Sequence, residues 1–230
     1  MPVAATAART AQALLFDLDG TLIHSMPLHH EAWRQWHAGL GLPFDDDGFF
    51  EATAGRTNAE ILRDLFPAHT EAEREGMAEA KEAIYRSIAA QRLQMVDGAL
   101  AFLQASRDRG LKLAICTASP PGNMAVAFAR FGLDAMVDAI TSPSDGLRGK
   151  PHPDIFAEAA RQLQVDAAHC VVFEDAPLGV EAARRAGMRA FALTTTLGAP
   201  AFDPFDNLIG TASDFAALHI DTLLQGSCHA

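Results

Sequence analysis

The sequence predicts an α/β fold: a doubly wound parallel sheet with a helical insert after its first strand. Three observations point there. Five short apolar runs, Ala13–Phe16, Leu111–Cys116, Ala135–Thr141, Cys170–Phe173 and Ala190–Leu193, have the length and composition of strands buried on both faces. Helix-length segments with apolar residues at three- and four-residue spacing stand between the later runs, and such alternation is the pattern of a sheet wrapped by helices on both sides. The third observation is the exception to that alternation. Almost 95 residues separate the first run from Leu111, and they carry helix patterns with no convincing strand.

Taken in order, residues 1–12 are Ala-rich without the hydrophobic block of a signal peptide and are expected to form a loose tail. After the first strand, helix patterns fall at Pro27–Gly39, Asp47–Ala54, Asn58–Phe66, Glu71–Ala90 and Gly98–Arg109, punctuated by Pro43, Gly55, Pro67 and the Val96–Asp97–Gly98 turn. The last of them returns to the sheet as a crossover helix. Residues 13–25 and 96–230 are therefore expected as the α/β core and 26–95 as a helical cap over the end of the first strand, where such inserts serve as lids. Farther on, Pro177–Ala186 has Pro near its start and Gly187 just past its end, which is helix punctuation. The Asp45–Asp46–Asp47 run reads as a solvated turn, and no chemistry is assigned to the tail after Asn207.

Composition narrows the function classes. A net charge of −11 argues against nucleic acid or an acidic membrane as partner. No apolar stretch approaches the ~18 residues of a membrane span. Cys116, Cys170 and Cys228 lack metal-ligand spacing, and two of them lie inside apolar runs as small core residues, which suggests a reducing, cytoplasmic setting. The expected assembly is a monomer or a weak homo-oligomer. An acidic chain that binds phosphate must supply local positive charge from a metal or a few placed Lys and Arg.

In an open α/β sheet ligands bind outside the C-terminal ends of the strands, so the residues there matter most. The first run leads into Asp17–Leu18–Asp19–Gly20, two carboxylates two apart with a glycine that allows a tight exit. Asp–x–Asp–Gly strings also make turns and helix caps, but this one follows a buried strand directly. The second run ends in Thr117–Ala118–Ser119 before a helix starting near Pro121, where a hydroxyl and free backbone N–H groups suit a phosphate oxygen, though such residues also serve as plain caps. Gly149–Lys150–Pro151–His152–Pro153–Asp154 places an ammonium at the mouth of another helix; alone it would read as a surface lysine. The fourth run ends in Glu174–Asp175, two acids whose burial is costly unless compensated. Mg²⁺ compensates them, because it takes carboxylates, water and substrate phosphate as ligands.

Together, in this order, these segments resemble the four motifs of the haloacid dehalogenase-like superfamily over about residues 13–195. The chain is most similar to that superfamily's helical-cap phosphatases and β-phosphoglucomutases, through Asp–Leu–Asp–Gly–Thr–Leu, Thr–Ala–Ser, Gly–Lys–Pro–His–Pro–Asp–Ile–Phe and Phe–Glu–Asp–Ala. The resemblance implies a Mg²⁺-dependent phosphatase of a small phosphorylated metabolite, a sugar phosphate. In that scheme Asp17 is the nucleophile that forms an aspartyl-phosphate and Asp19 is the general acid and base. Asp17, Glu174, Asp175 and the backbone carbonyl of Asp19 hold the metal, while Thr117, Ala118 and Lys150 hold the phosphoryl oxygens. A halide leaves without a proton, so an acid/base Asp19 argues against dehalogenation.

Resemblance to β-phosphoglucomutase further implies His29 as partner of Asp19, and Arg56 and Lys81 as contacts to a distal phosphate; Ser119 and Asn123 are candidate substrate contacts. His29 and Lys81 also fit solvated helix faces, and Arg56 fits an ordinary turn. Two departures bear on the mutase alternative. His24 stands where these relatives usually carry Asp, and the loop Ala118–Asn123, with Pro120 and Pro121, is longer and stiffer than the mutase pattern. A non-catalytic binding protein on this fold is the third reading, and every core catalytic position being filled speaks against it.

Overall fold

The computed structural model describes residues 10–53 and 56–221. Residues 1–9 of the expected 1–12 tail, together with Ala54, Gly55 and Cys228, lie outside the described residues. Six parallel strands form one sheet: β1 (Ala13–Phe16), β2 (Lys112–Cys116), β3 (Ala139–Thr141), β4 (Cys170–Glu174), β5 (Arg189–Leu193) and β6 (Leu208–Ala212). Their spatial order is β3-β2-β1-β4-β5-β6. Phe16 at the end of β1 is in register with Ile115 on one side and Phe173 on the other.

Alternate residues of the strands feed two separate apolar layers. Leu14, Phe16, Leu113, Ile115, Val171 and Phe173 meet Phe102 and Leu103 of α5 (Ala99–Asp108) and Ala127 of α6 (Pro121–Phe131). Ala13, Leu15, Ala114, Cys116 and Val172 meet Phe156 and Ala159 of α7 (Asp154–Leu163) and Val180 and Ala182 of α8 (Pro177–Arg185). Both faces being covered is why these strands read as unbroken apolar runs. Phe16 and Phe173 stack at 4.9 Å between ring centroids and hold β1 against β4, where the carboxylates emerge.

Two strand expectations are corrected. The third strand starts later than Ala135, because Gly132 at φ 66° ends α6 and Leu133–Met136 turns as a 3-10 helix; only Ala139–Thr141 pairs. A sixth strand, Leu208–Ala212, pairs with β5 at the sheet edge. It is only half-buried, and its Gly210 lies where a Cβ would come within 2.7 Å of the Phe191 ring, so its apolar signal is weak. At the other end Ala11 is buried, and the Gln12 N–H donates to the His169 carbonyl at 2.9 Å.

Between β1 and α5 run α1 (Met26–Gly39), α2 (Asp46–Thr53), α3 (Asn58–Leu65) and α4 (Glu71–Arg92). Capping boxes start two of them: Thr57 with Glu60 in α3 and Thr70 with Glu73 in α4. Trp33, Trp36, Ile61 and Leu62 form a small apolar cluster of their own, and α4 packs against both α1 and α6. No helix among the described residues is long and apolar enough to cross a membrane.

Candidate active site

The Asp17 N–H donates to the Phe173 carbonyl at 3.0 Å, so strand pairing continues one residue past β1 and sets Asp17 beside Glu174 and Asp175. β1 lies between β2 and β4, the point where connections leave in opposite directions and a crevice opens. The chain then turns sharply. Gly20 takes φ 82°, and the N–H groups of Leu22 and Ile23 donate to the Leu18 carbonyl at 3.0 and 3.1 Å. A Cβ on Gly20 would lie 2.0 Å from Asp175 Oδ2, and a Cβ on Gly179 only 1.8 Å from Glu174 Oε1. These two glycines leave the space that the carboxylates fill. Gly20 was legible as a turn residue; Gly179 was not, since its reason lies in another segment.

Asp17, Glu174 and Asp175 are buried, and each presents a carboxylate oxygen within 4.8 Å of the others. The Lys150 ammonium sits among them, in contact with Asp17 and 2.5 Å from Glu174 Oε1, over the Phe156 ring. Burial pushes the Asp17 carboxyl well above the usual aspartate range; Lys150 opposes this, while Glu174, Asp175 and Asp19 add to it. Burial and then Glu174 push Asp175 up to about 7, against Thr196 and Lys150. Thr21 donates to Asp175 Oδ1 at 3.3 Å and Thr196 donates to Oδ2. Glu174 Oε2 accepts from the N–H groups of Asp175 and Ala176 at 3.2 and 3.3 Å. Its Oε1 meets the ammonium as an ion pair without directed hydrogen-bond geometry.

The residues present fit a divalent cation. One ammonium does not balance three buried carboxylates, the donors are all oxygen, and a buried Glu174 oxygen is left without a hydrogen bond. Oxygen-only donor sets suit Mg²⁺.

Asp19 faces the insert. Burial opposes its ionisation, but His29, Ser119 and Ser25 outweigh that and hold it below the usual aspartate range. His29 Nε2 stands 3.8 Å from Asp19 Oδ1, an ion-pair distance rather than a hydrogen bond. The His29 ring stacks on Tyr85 at 3.7 Å between centroids, and its Nδ1 accepts from Lys81 Nζ at 2.7 Å. With Nδ1 accepting from an ammonium, Nε2 carries the proton that points at Asp19. Lys81 is 1% exposed, so the ordinary expectation of a solvated side chain is overturned. Its charge is held by Glu82, whose Oε1 lies 2.9 Å away. Glu82 also accepts from Asn58 at 2.6 Å and from Asn123 at 2.7 Å. Sequence reasoning missed Glu82, Asn58, Thr21 and Thr196, because each acquires its meaning from a partner distant in the chain.

The Thr117 N–H donates to the Thr141 carbonyl at 3.1 Å, and its hydroxyl accepts from the Ser119 N–H at 3.0 Å. Thr117, Ala118, Ser119 and Asn123 line one cleft of about 440 Å³ with Asp17, Asp19, His29, Lys81, Lys150, Glu174 and Asp175. Arg56 lines the same cleft, but its guanidinium donates to Asp64 at 2.5 Å and to the carbonyls of Ala52 and Glu60. His24 stays outside the cleft lining; its backbone N–H donates to the Gln94 carbonyl at 2.9 Å.

Comparison with known proteins agrees with this geometry. Residues 11–187 match the family model described as haloacid dehalogenase-like hydrolase. The validoxylamine A 7'-phosphate phosphatase of Streptomyces hygroscopicus subsp. limoneus is 34% identical, over 90% of this chain and 96% of that one. The β-phosphoglucomutase of Bacillus subtilis is 28% identical, over 82% of this chain and 85% of that one. A crystal structure of a HAD hydrolase from Entamoeba histolytica superposes with a TM-score of 0.86 at 27% identity, covering 94% and 98% of the two chains. This chain belongs to the haloacid dehalogenase-like hydrolase family.

Proposed function

We propose that the chain is a phosphatase of a small phosphorylated metabolite, a sugar phosphate, working through an aspartyl-phosphate on Asp17. The observation that carries the reading is the meeting of Asp17, Lys150, Glu174 and Asp175 at one point, with Asp19 beside them. Asp17, Glu174, Asp175 and the Asp19 carbonyl would hold Mg²⁺, which supplies neutralisation between an anionic nucleophile and a phosphate dianion. Lys150, Thr117 and the backbone about Ala118 would hold the other phosphoryl oxygens, since positioning and charge stabilisation dominate such transfers.

The Asp17 carboxylate attacks phosphorus, the bond to the leaving alcohol breaks, and that oxygen takes a proton from Asp19. Water then attacks the same phosphorus and gives its proton back to Asp19. The bond to Asp17 breaks and inorganic phosphate leaves, which restores both carboxyl groups. Asp19 is held ionised in the free chain, as the second step requires. An arriving phosphate dianion raises its proton affinity for the first step. A positioned acid and base of this kind contributes roughly 10²–10⁴-fold.

In this reading residues 26–95 form a cap on a core of 13–25 and 96–230. The contacts of His29 and Lys81 around Asp19 support it, because closing the insert would complete the proton-transfer site. The test is phosphate release from a panel of phosphorylated metabolites with Mg²⁺ and with a chelator. Binding of the panel without any release would refute the assignment. The mutase reading is favoured by the same His29–Lys81 contact and by the β-phosphoglucomutase relative. β-Glucose 1-phosphate separates the two: free glucose supports the phosphatase, and glucose 6-phosphate supports the mutase.

A further inference from the structure

Four side chains of the cleft, three from the insert and Asn123 from α6, are drawn together by one carboxylate. Glu82 Oε1 accepts from Lys81 Nζ at 2.9 Å and from Asn58 Nδ2 at 2.6 Å, and Oε2 accepts from Asn123 Nδ2 at 2.7 Å. His29 Nδ1 stands 3.9 Å from Oε2. These groups come from α1, α3, α4 and α6, and all of them line the cleft. An ammonium and two amide N–H groups around one point form the setting an external anion would need. Here the anion is internal.

The other cations of the cleft are taken as well. Arg56 is paired with Asp64, and Lys150 with Asp17 and Glu174. Every Lys and Arg lining the cleft among the described residues therefore already faces a carboxylate. We propose that Glu82 is a built-in counter-anion occupying the place of a second phosphate, so that the cleft selects monophosphates whose other end carries no negative charge. This deepens the phosphatase reading and rests on it for the position of the reacting phosphate.

The chemistry is a matter of what Glu82 offers an incoming group. Buried beside Lys81 it stays ionised: burial opposes that, but Lys81, His29, Asn123 and Asn58 outweigh it and hold its carboxyl below the usual glutamate range. A second phosphate would meet a like charge with no unmatched cation to receive it, and such juxtapositions are strongly unfavourable. A sugar hydroxyl can donate to Glu82 or accept from Asn58 and Asn123, exchanging partners without leaving a charge unpaired. The expectation from resemblance, that Arg56 and Lys81 receive a distal phosphate, is replaced by this one. It also separates the chain from a mutase whose phosphoryl group returns to the sugar, since a sugar bisphosphate must then be held.

The experiment measures the ratio of kcat/KM for matched sugar monophosphates and bisphosphates, beginning with glucose 6-phosphate and glucose 1,6-bisphosphate. Calorimetric binding of the same pairs to Asp17→Asn runs alongside. Wild type is expected to prefer the monophosphate by about tenfold or more. Glu82→Gln, which keeps the shape and removes the charge, should erase that preference, and Lys81→Met, which leaves Glu82 uncompensated, should widen it. A bisphosphate handled as well as its monophosphate by the wild type overturns the proposal without any variant. An unchanged ratio in a folded Glu82→Gln overturns it too. Discrimination in binding with no phosphate released from any compound sinks the phosphatase reading alone.

Discussion

Replacing Gly179 by Ala tests whether the carboxylate cluster is built as described. In the middle of an ordinary helix the change stabilises by about 1 kcal/mol through helix propensity. Here the new methyl would lie 1.8 Å from Glu174 Oε1 and 1.9 Å from its Cδ. Glu174 is 1% exposed and is held beside Asp17, Asp175 and the Lys150 ammonium. Moving it costs the two backbone N–H groups that its Oε2 accepts from, those of Asp175 and Ala176. Overpacking costs ~1–3 kcal/mol, and disturbing hydrogen bonds to a charged group costs ~1.5–3 kcal/mol. After subtracting the propensity gain, the net loss is about 1.5–5 kcal/mol. At ~2–4 °C per kcal/mol for a chain of this size, Tm should fall by about 3–20 °C. Calorimetry of wild type and variant with and without Mg²⁺ reads the effect, and the stabilisation by Mg²⁺ should shrink in the variant. A Tm equal to or above wild type, with full Mg²⁺ stabilisation and activity, would refute the reasoning.

Three further outcomes follow from the same geometry. Thr196→Val removes a hydroxyl that donates to Asp175, so that carboxyl, already near 7, rises further; the Mg²⁺ concentration for half-maximal activity should increase roughly 10–100-fold, and an unchanged titration contradicts the role. His29→Ala removes the main group holding Asp19 low, so the basic limb of the kcat/KM profile, where Asp19 loses the proton it must give in the first step, should move to higher pH, with kcat down about tenfold or more; a superimposable profile argues against the pairing. Glu82 has a folded-state pKa below its unfolded value. Its stabilising contribution is present above the unfolded value near 4.3 and is lost as pH falls through the folded one. Denaturant midpoints of wild type and Glu82→Gln should therefore converge on acidification below about pH 4, whereas curves that stay parallel count against an ionised, hydrogen-bonded Glu82.

The sheet's centre was legible because β1, β2, β4 and β5 are buried on both faces and spell out apolar runs, and because Asp17, Asp19, Lys150, Glu174 and Asp175 each follow or face such a run at a strand end. β6 was not legible: half-buried, with Gly210 under the Phe191 ring, it lacks both apolar continuity and alternation. The apolar run from Ala135 misled for a related reason, since Leu133–Met136 uses its apolar residues in a 3-10 turn before pairing begins. Lys81 shows the limit in the insert. On a helix as charged as α4 its own neighbours say solvent, and only Glu82, His29 and the rings of Trp33 and Tyr85 make burial tolerable. Thr196 lies 21 positions from Asp175 and Asn58 24 from Glu82, pairings that no local pattern encodes.

The central claim is that Asp17 carries the phosphoryl group in transit. Rapid quenching of wild type during turnover of a hydrolysed substrate, followed by mass mapping of acid-stable peptides, tests it most directly. The account predicts one phosphoryl group on the peptide containing Asp17, and neither label nor turnover in Asp17→Asn. A phosphoryl group on a different residue, or full turnover by Asp17→Asn, would contradict it.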